Sequence, residues 1–208
     1  MVELYMARTC KWGVVRVIGG DLHLQEADAV VTPANNRLSG REGLDAQIHK
    51  AAGEELREFC RDVSIKQRKL NLPPCPVTTN VVSKPYNLEK RFKHIIHVVS
   101  PDCRRPNQDE ARRQLLPEAY HNLFSTLKDM KDVSVVMAPP LSMGVFAYPH
   151  REGARLTLET LLGIMDGETD PKIKEYNIVV KERNFIGNMR TVYRESEDQL
   201  PGIDTTLD

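Results

Sequence analysis

Two loops of the sequence combine glycine with a helix that is predicted to begin just afterwards. The first loop spans residues 32–45 and the second spans residues 139–149, and each follows a short apolar run. Glycine lets the backbone approach a ligand closely, and the free N–H groups and dipole of a helix start favour a bound anion such as phosphate. Neither loop has the spacing of a P-loop or of a GxGxxG motif. The pattern therefore predicts an anion site of another kind, beyond the carboxyl ends of the strands.

Three polar side chains, one in a separate segment after the strand at 14–18 and two in the first loop, are candidates for chemistry. Asp21 follows Gly19-Gly20 at the end of a predicted strand, where its carboxylate could accept a hydrogen bond from an exocyclic amine such as that of adenine. Alternatively, Asp21 caps the next short helix. Asn35 could brace an irregular loop through its amide. Asp45 could be stabilised by the dipole of the helix in whose first turn it stands.

The elements that position these residues follow from the apolar pattern. Short β-branched runs alternate with amphipathic stretches, which is typical of an α/β layer fold with helices on both faces of the sheet. Strands are predicted at residues 14–18, 29–31, 77–82, 94–99, 133–138 and 177–180, and the pattern allows an edge strand at 4–7. Helical stripes run from Leu44 to Phe59, from Leu116 to Met130 and from Ala154 to Met165, and a last helix follows Phe185.

The domain boundaries follow from polar and proline-containing segments. Residues 64–74 are polar and end in two prolines, which predicts a loop. Residues 1–195 are expected to form one domain, and residues 196–208 are expected to form a flexible tail.

Composition excludes several classes of protein. The chain has 208 residues, with 29 basic and 29 acidic side chains, so the basic excess typical of nucleic-acid binding is absent. No signal peptide or membrane-spanning run is recognisable. The four cysteines form no CxxC pair, which favours reduced thiols in an intracellular, cytoplasmic protein. His94 and His97 would point to opposite faces of a strand, so no metal site is expected there.

Taken in order, these segments resemble the macro domain family. Residues 20–22 (Gly-Asp-Leu) are similar to its Gly-Asp-Ile start, and residues 31–35 (Val-Thr-Pro-Ala-Asn) to its Val-Asn-Ala-Ala-Asn segment. Residues 40–45, with Ile48 and His49, resemble the glycine-rich phosphate loop and the helix start after it. Residues 142–149 resemble the second loop of the family. The resemblance implies a three-layer α/β/α domain with a central mixed, mostly parallel sheet.

The resemblance also implies a ligand, ADP-ribose, and no cofactor or metal. Asp21 would hold the adenine amine, Phe146 would pack against the distal ribose, and Asn35 would bind a hydroxyl of that ribose. In the hydrolytic branch of the family, residues at the Asn35 and Asp45 positions serve removal of ADP-ribose from acidic side chains. The backbone N–H groups of Gly43, Leu44, Gly144 and Val145 would cradle the diphosphate, and Leu22, Ala34 and Ser142 complete the expected ligand-binding set.

The sequence departs from the family pattern at two places that bear on activity. Thr32-Pro33 replaces Asn-Ala, and Arg41-Glu42 replaces two glycines in the phosphate loop. Three functions therefore stay open. The preferred one is hydrolysis of mono-ADP-ribose from acidic side chains of modified proteins, or of a related small ADP-ribose ester or phosphate. The second is a module that reads ADP-ribose without turnover, and the third is a scaffold that has lost the ligand.

Overall fold

The computed structural model describes residues 3–104, 109–181, 183–195 and 203–204. Strands and helices alternate along most of the chain, as the apolar pattern predicts. The strands are β1 (Leu4–Thr9), β2 (Val14–Gly19), β3 (Ala29–Ala34), β4 (Asn80–Ser83), β5 (His94–Val99), β6 (Val135–Ala138), β7 (Glu175–Val180) and β8 (Ile203–Asp204). The helices are α1 (Gly43–Ala52), α2 (Glu54–Arg68), α3 (Asp109–Asp129), α4 (His150–Met165) and α5 (Arg183–Glu195).

The strands form one mixed sheet in the order β4-β5-β3-β6-β7-β2-β1-β8. The five central strands, from β5 to β2, are parallel to their neighbours, whereas β4, β1 and β8 pair antiparallel. The carboxyl ends of the parallel strands therefore meet at one edge of the sheet. This arrangement confirms the mixed, mostly parallel sheet that the sequence predicts.

Helices cover both faces of the sheet, and each face has its own apolar core. On one face α1 and α2 bury Ile48, Leu56 and Cys60 against residues such as Ile95 of β5. On the other face α3, α4 and α5 pack against the alternate strand residues, including Ile96. The observed architecture is thus the three-layer α/β/α sandwich expected from the resemblance.

Two predicted elements have different boundaries in the structure, because Gly53 and Thr78 have positive φ angles. The apolar stripe from Leu44 to Phe59 belongs to two helices, because Gly53 with φ 92° separates α1 from α2. The strand predicted at 77–82 begins only at Asn80, since Thr78 has φ 71°, a value that no β-strand contains. Hydrophobicity continues through both positions, so the sequence pattern did not reveal the breaks.

The loop predicted at residues 64–74 is also corrected, because α2 continues to Arg68. In the segment predicted as a tail, Ile203 and Asp204 pair with Arg8 and Ala7 of β1. The remainder of that segment lies outside the described residues. None of the helices in the described part of the chain is long and apolar enough to span a membrane.

Candidate functional site

A cavity of about 360 Å³ opens at the carboxyl ends of β2, β3, β6 and β7. The predicted site comes together here almost completely. Ala34 is the exception, because its side chain is fully buried in the core beneath the cavity. The predicted residues that line the cavity are Asp21, Leu22, Asn35, Gly43, Leu44, Asp45, Ser142, Gly144, Val145 and Phe146.

The two glycine-containing loops approach each other closely across this cavity. Gly43 has φ 55°, and a Cβ at this position would lie 2.9 Å from Cγ2 of Val145. Glycine is therefore needed here both for its backbone conformation and for the close approach. Gly43 and Leu44 stand at the start of α1, where the N–H groups have no partner within the helix. The first loop thus presents the unpaired N–H groups of Gly43 and Leu44 to the cavity.

The second loop is held in a tight, left-handed conformation. Ser142 and Ala147 have φ 65° and 54° without being glycine. Ala147 N donates to Gly144 O at 2.9 Å, and Tyr148 N donates to Ser142 O at 2.9 Å. Within the described part of the chain, the N–H groups of Gly144 and Val145 make no backbone hydrogen bond outside regular elements. They are therefore available to an anion, as the predicted diphosphate cradle requires.

Asp45 lies at the base of the cleft and is only 3% exposed. Thr32 Oγ1 donates a 2.7 Å hydrogen bond to Asp45 Oδ1, which links β3 to the first turn of α1. Burial raises the pKa of Asp45 to about 6, although the hydrogen bonds from Thr32 and the Gly40 N–H act in the opposite direction. His49 Nε2 lies 3.7 Å from the same carboxylate oxygen. Thr32, which departs from the family pattern, thus has a bracing role of its own.

Asn35 braces the first loop, as its alternative interpretation proposed. Its Oδ1 accepts hydrogen bonds from the N–H groups of Arg37 and Ser39, at 3.1 and 3.2 Å. Its Nδ2 donates to Ser39 Oγ at 2.7 Å. Because an amide nitrogen carries two hydrogens, one N–H of Asn35 stays available to a ligand in the cleft that Asn35 lines.

Asp21 lines the same cleft, just beyond the end of β2, and makes an ion pair there. Lys181 Nζ donates to Asp21 Oδ1 at 2.7 Å, and this bond holds the pKa of Asp21 below its ordinary value. Asp21 makes no side-chain capping bond to the short 3-10 helix Leu22–Leu24. The capping interpretation is therefore wrong, and the carboxylate is charged and available at the rim.

Glu42 faces a basic residue that the sequence analysis did not connect with the cleft. Arg104 Nη1 lies 3.8 Å from Glu42 Oε2, and its guanidinium lies 5.5 Å from the ring centroid of Phe146. Arg104 also makes hydrogen bonds of 2.5 to 3.1 Å with the Asp102 carboxylate. The negative charge that Glu42 brings to the phosphate loop thus has a cation beside it, and Arg104 connects the two loops.

Several cleft residues were not predicted, and one of them, Lys181, follows a strand that carries no motif. Lys181 is the first residue after β7, whose carboxyl end lies at the same sheet edge as those of β2 and β6. Its position at a strand end is the one signal that could have identified it. The other unpredicted lining residues include Pro33, Gln47, Met143, His150 and Phe185.

One group of side chains has the spacing of metal ligands, and it lies behind the first loop. Among the described residues, the ligand atoms of His49, Cys60 and His97 lie within 4.8 Å of one another, and all three side chains are buried. Burial raises the pKa of Cys60 to about 12 and lowers the pKa of His97 to about 3. These groups are therefore neutral near pH 7. Three different elements supply them, so sequence spacing did not reveal the cluster.

Comparison with known proteins identifies the class to which this fold and cleft belong. The family model for the Macro domain matches residues 31–157. The O-acetyl-ADP-ribose deacetylase of Cronobacter sakazakii is 30% identical over 190 residues, which cover 91% of this chain and 98% of that protein. A macro domain-containing protein of Caldanaerobacter subterraneus is 31% identical over 187 residues, covering 89% and 97%. The chain therefore belongs to the macro domain family.

Solved structures show the same fold. The Oceanobacillus iheyensis macrodomain with ADP has a TM-score of 0.82 at 24% identity, covering 96% of this chain and 99% of that chain. The Trypanosoma brucei macrodomain in complex with ADP-ribose has a TM-score of 0.70 at 20% identity, covering 85% and 68%. The three-layer architecture is thus shared over nearly the whole chain.

Proposed function

We propose that this protein binds ADP-ribose in the cleft and hydrolyses an ester bond at its distal ribose. The substrate class is mono-ADP-ribose attached to acidic side chains of proteins, or a small acyl ester of ADP-ribose. The observation that carries this proposal is Asp45, a buried carboxylate that lines the cleft beside the predicted diphosphate site and has a pKa of about 6. The name of the Cronobacter relative, an O-acetyl-ADP-ribose deacetylase, supports the same bond type.

Binding would distribute the ligand along the cleft according to charge and shape. Asp21 accepts a hydrogen bond from the adenine amine, while Lys181 keeps that carboxylate ionised. The N–H groups of Gly43, Leu44, Gly144 and Val145 surround the diphosphate. The distal ribose then lies between Phe146 and the free N–H of Asn35.

In the chemical step, ionised Asp45 and a ligand phosphate orient a water molecule and polarise it. For ADP-ribose on an acidic side chain, the water oxygen forms the new bond to the anomeric carbon, the bond to the departing carboxylate breaks, and the water proton passes to Asp45 and then to solvent. For a small acyl ester, the water oxygen bonds to the acyl carbon, the bond to the ribose oxygen breaks, and that oxygen takes the proton from Asp45. A carboxylate leaves readily, so orientation of the water is the main contribution of the protein. Such positioning provides about 7–11 kcal/mol in the best model reactions. No metal ion is required for this sequence of events.

The non-catalytic reader is the second candidate, and the contacts of Asn35 favour it. The Asn35 amide is already used three times to brace its own loop, which leaves one N–H for the ligand. Under this alternative, Asp45 and Thr32 only join β3 to α1. The ligand would be held as in the hydrolase, but it would leave unchanged.

A turnover assay with a binding control separates the two functions. Asp45→Ala should reduce hydrolysis of O-acetyl-ADP-ribose and of a mono-ADP-ribosylated protein by about a hundredfold or more, as loss of a group orienting the nucleophile does. Its affinity for ADP-ribose, measured by calorimetry, should change much less. Asp62→Ala, an exposed acid on α2 outside the cleft, is the matched control. Wild-type protein that binds ADP-ribose but hydrolyses neither substrate would establish the reader.

We further propose mono-ADP-ribosylated proteins as partners and an intracellular, cytoplasmic location. The four cysteines are free and buried, which agrees with a reducing compartment. Hydrolysis of a mono-ADP-ribosylated protein, compared with that of O-acetyl-ADP-ribose, tests whether modified proteins are substrates.

A further inference from the structure

A second cavity, of about 500 Å³, lies on the other side of the first loop from the cleft. Its lining includes five arginines, which we call the arginine pocket: Arg37, Arg41, Arg57, Arg61 and Arg68. Three of these stand on α2 at spacings of four and seven residues, so they share one face of the helix. The other two come from the loop between β3 and α1. Arginines thus line the pocket from two opposing elements.

The positive charge of this pocket is only weakly compensated. Glu54 lies 3.3 Å from Arg57 and 3.9 Å from Arg61, and these side chains are more than half exposed. Arg37, Arg41 and Arg68 make no ion pair with any residue that the structure describes. No acidic side chain is found among the described residues that line the pocket. Such a concentration of guanidinium groups in a concave surface favours a multiply charged anion.

The inner wall of the pocket contains a polar side chain without a partner. His49 lines the pocket, is 1% exposed, and neither of its ring nitrogens has a hydrogen-bond partner. A buried imidazole normally satisfies its N–H, and since Nε2 has the Asp45 carboxylate at 3.7 Å, Nδ1 is the nitrogen that indicates an absent partner. An imidazole N–H can donate directly to an anion oxygen. The orphaned nitrogen and the arginines therefore point to the same type of ligand.

The cluster of His49, Cys60 and His97 could instead suggest a cation, but the charges around it oppose this. A metal ion would enter through a pocket lined by five arginines, which repel it. The Cys60 thiol and both imidazoles are neutral in this buried setting, so the three candidate ligands bring no negative charge of their own. The nearest carboxylate, Asp45, lies 3.7 Å from His49 Nε2 and accepts a hydrogen bond from Thr32. The five arginines of the lining favour an anion in the pocket and disfavour a metal ion there.

We propose that the arginine pocket is a second ligand site, distinct from the ADP-ribose cleft, that binds a phosphate-bearing anion. The arginines of α2 and of the loop hold the phosphate oxygens, and His49 donates from the inner wall. A cavity of this volume with five guanidinium groups suits several linked phosphates better than one. The site does not depend on the proposed hydrolase activity, because none of the residues that line it also lines the cleft.

Calorimetric titration of the full chain with inorganic tripolyphosphate tests the proposal. Tripolyphosphate should bind equally well with and without saturating ADP-ribose, and binding should weaken as salt is raised. The double variant Arg57→Ala/Arg61→Ala should weaken binding by about tenfold or more, since it removes two charge-assisted donors. Lys66→Ala removes one positive charge from the same helix outside the pocket and should have little effect.

Two further arms identify the source of the phosphates. CTP with ADP-ribose present should bind about as tightly as tripolyphosphate if the phosphate chain alone is recognised. Binding of a single-stranded oligonucleotide in the absence of tripolyphosphate binding would overturn the proposal in favour of a nucleic-acid surface. Displacement of tripolyphosphate by ADP-ribose would place it in the cleft and also overturn it. If ADP-ribose does not bind at all, the proposed function fails, but the effect of Arg57→Ala/Arg61→Ala on tripolyphosphate binding still tests the arginine pocket.

Discussion

The Thr32 hydroxyl donates its hydrogen bond to a carboxylate that burial makes difficult to ionise. This bond stabilises the ionised form of Asp45 more than the neutral form, because hydrogen bonds to charged groups are stronger. A residue that departs from the family sequence therefore supports the group that the proposed chemistry needs.

Thr32→Val should destabilise the protein more above about pH 7 than at about pH 4. The variant keeps the side-chain shape but leaves ionised Asp45 without its donor, which costs about 1.5–3 kcal/mol. Urea unfolding at the two pH values measures the difference. Thr191→Val, which loses only a helix-backbone bond on α5, provides the control. Equal destabilisation at both pH values would show that Thr32 does not interact with the charge.

Replacement of Asp45 by Asn should change how stability depends on pH. The folded-state pKa of Asp45, about 6, lies above the ordinary value of 3.8. Its contribution to stability is therefore full below about pH 4 and is lost as pH rises through 6. Relative to Asp45→Asn, the wild type should lose about 3 kcal/mol over this interval. Unfolding curves for both proteins between about pH 4 and 8 give this difference, and parallel curves would contradict it.

The same carboxylate should determine the pH dependence of hydrolysis. Because the proposed base is the ionised form, the rate should rise through about pH 6 and level off above it. Thr32→Val removes a bond that lowers this pKa, so its rate profile should shift to higher pH. A wild-type profile that is flat from pH 5 to 8 would exclude Asp45 as the base.

Acid should destabilise the protein through His97. Burial and the neighbouring His49 lower the pKa of His97 to about 3, from an ordinary value of 6.5. The contribution of neutral His97 to the free energy of unfolding is full above pH 6.5. It is lost as pH falls, by about 2 kcal/mol between pH 6.5 and 5. His97→Gln should reduce this loss, whereas His121→Gln, at an exposed position on α3, should retain it. Unfolding at the two pH values compares the three proteins.

Arg104→Ala should weaken ADP-ribose binding by about two- to fivefold, which corresponds to an exposed ion pair. The substitution removes the cation beside Glu42 and over Phe146, and Glu42 stands next to the proposed diphosphate site. Addition of Glu42→Ala to this variant should restore part of the affinity. Calorimetry on the single and double variants measures the coupling. Strictly additive effects would show that the two side chains act independently.

The sequence predicted the layers and the cleft because local signals encode them. Apolar runs define the strands, and glycines mark loops that must approach a ligand, as at Gly43. The partners of the unusual residues could not be predicted in this way. The sequence shows Thr32 and Glu42 only as departures from the family pattern, since their partners Asp45 and Arg104 reach them through the tertiary fold. The break at Gly53 was hidden because the apolar stripe continues across it.

A single stretch of backbone forms a wall of both cavities. Asn35, Glu42 and Gly43 line the cleft, while the residues between them, 37 to 41, line the arginine pocket. A movement of this loop that reshapes one cavity must reshape the other. If a phosphate-bearing anion changes the affinity for ADP-ribose by some factor, ADP-ribose must change the affinity for the anion by the same factor. Equal affinity for tripolyphosphate with and without ADP-ribose therefore means that this loop transmits no coupling energy in either direction.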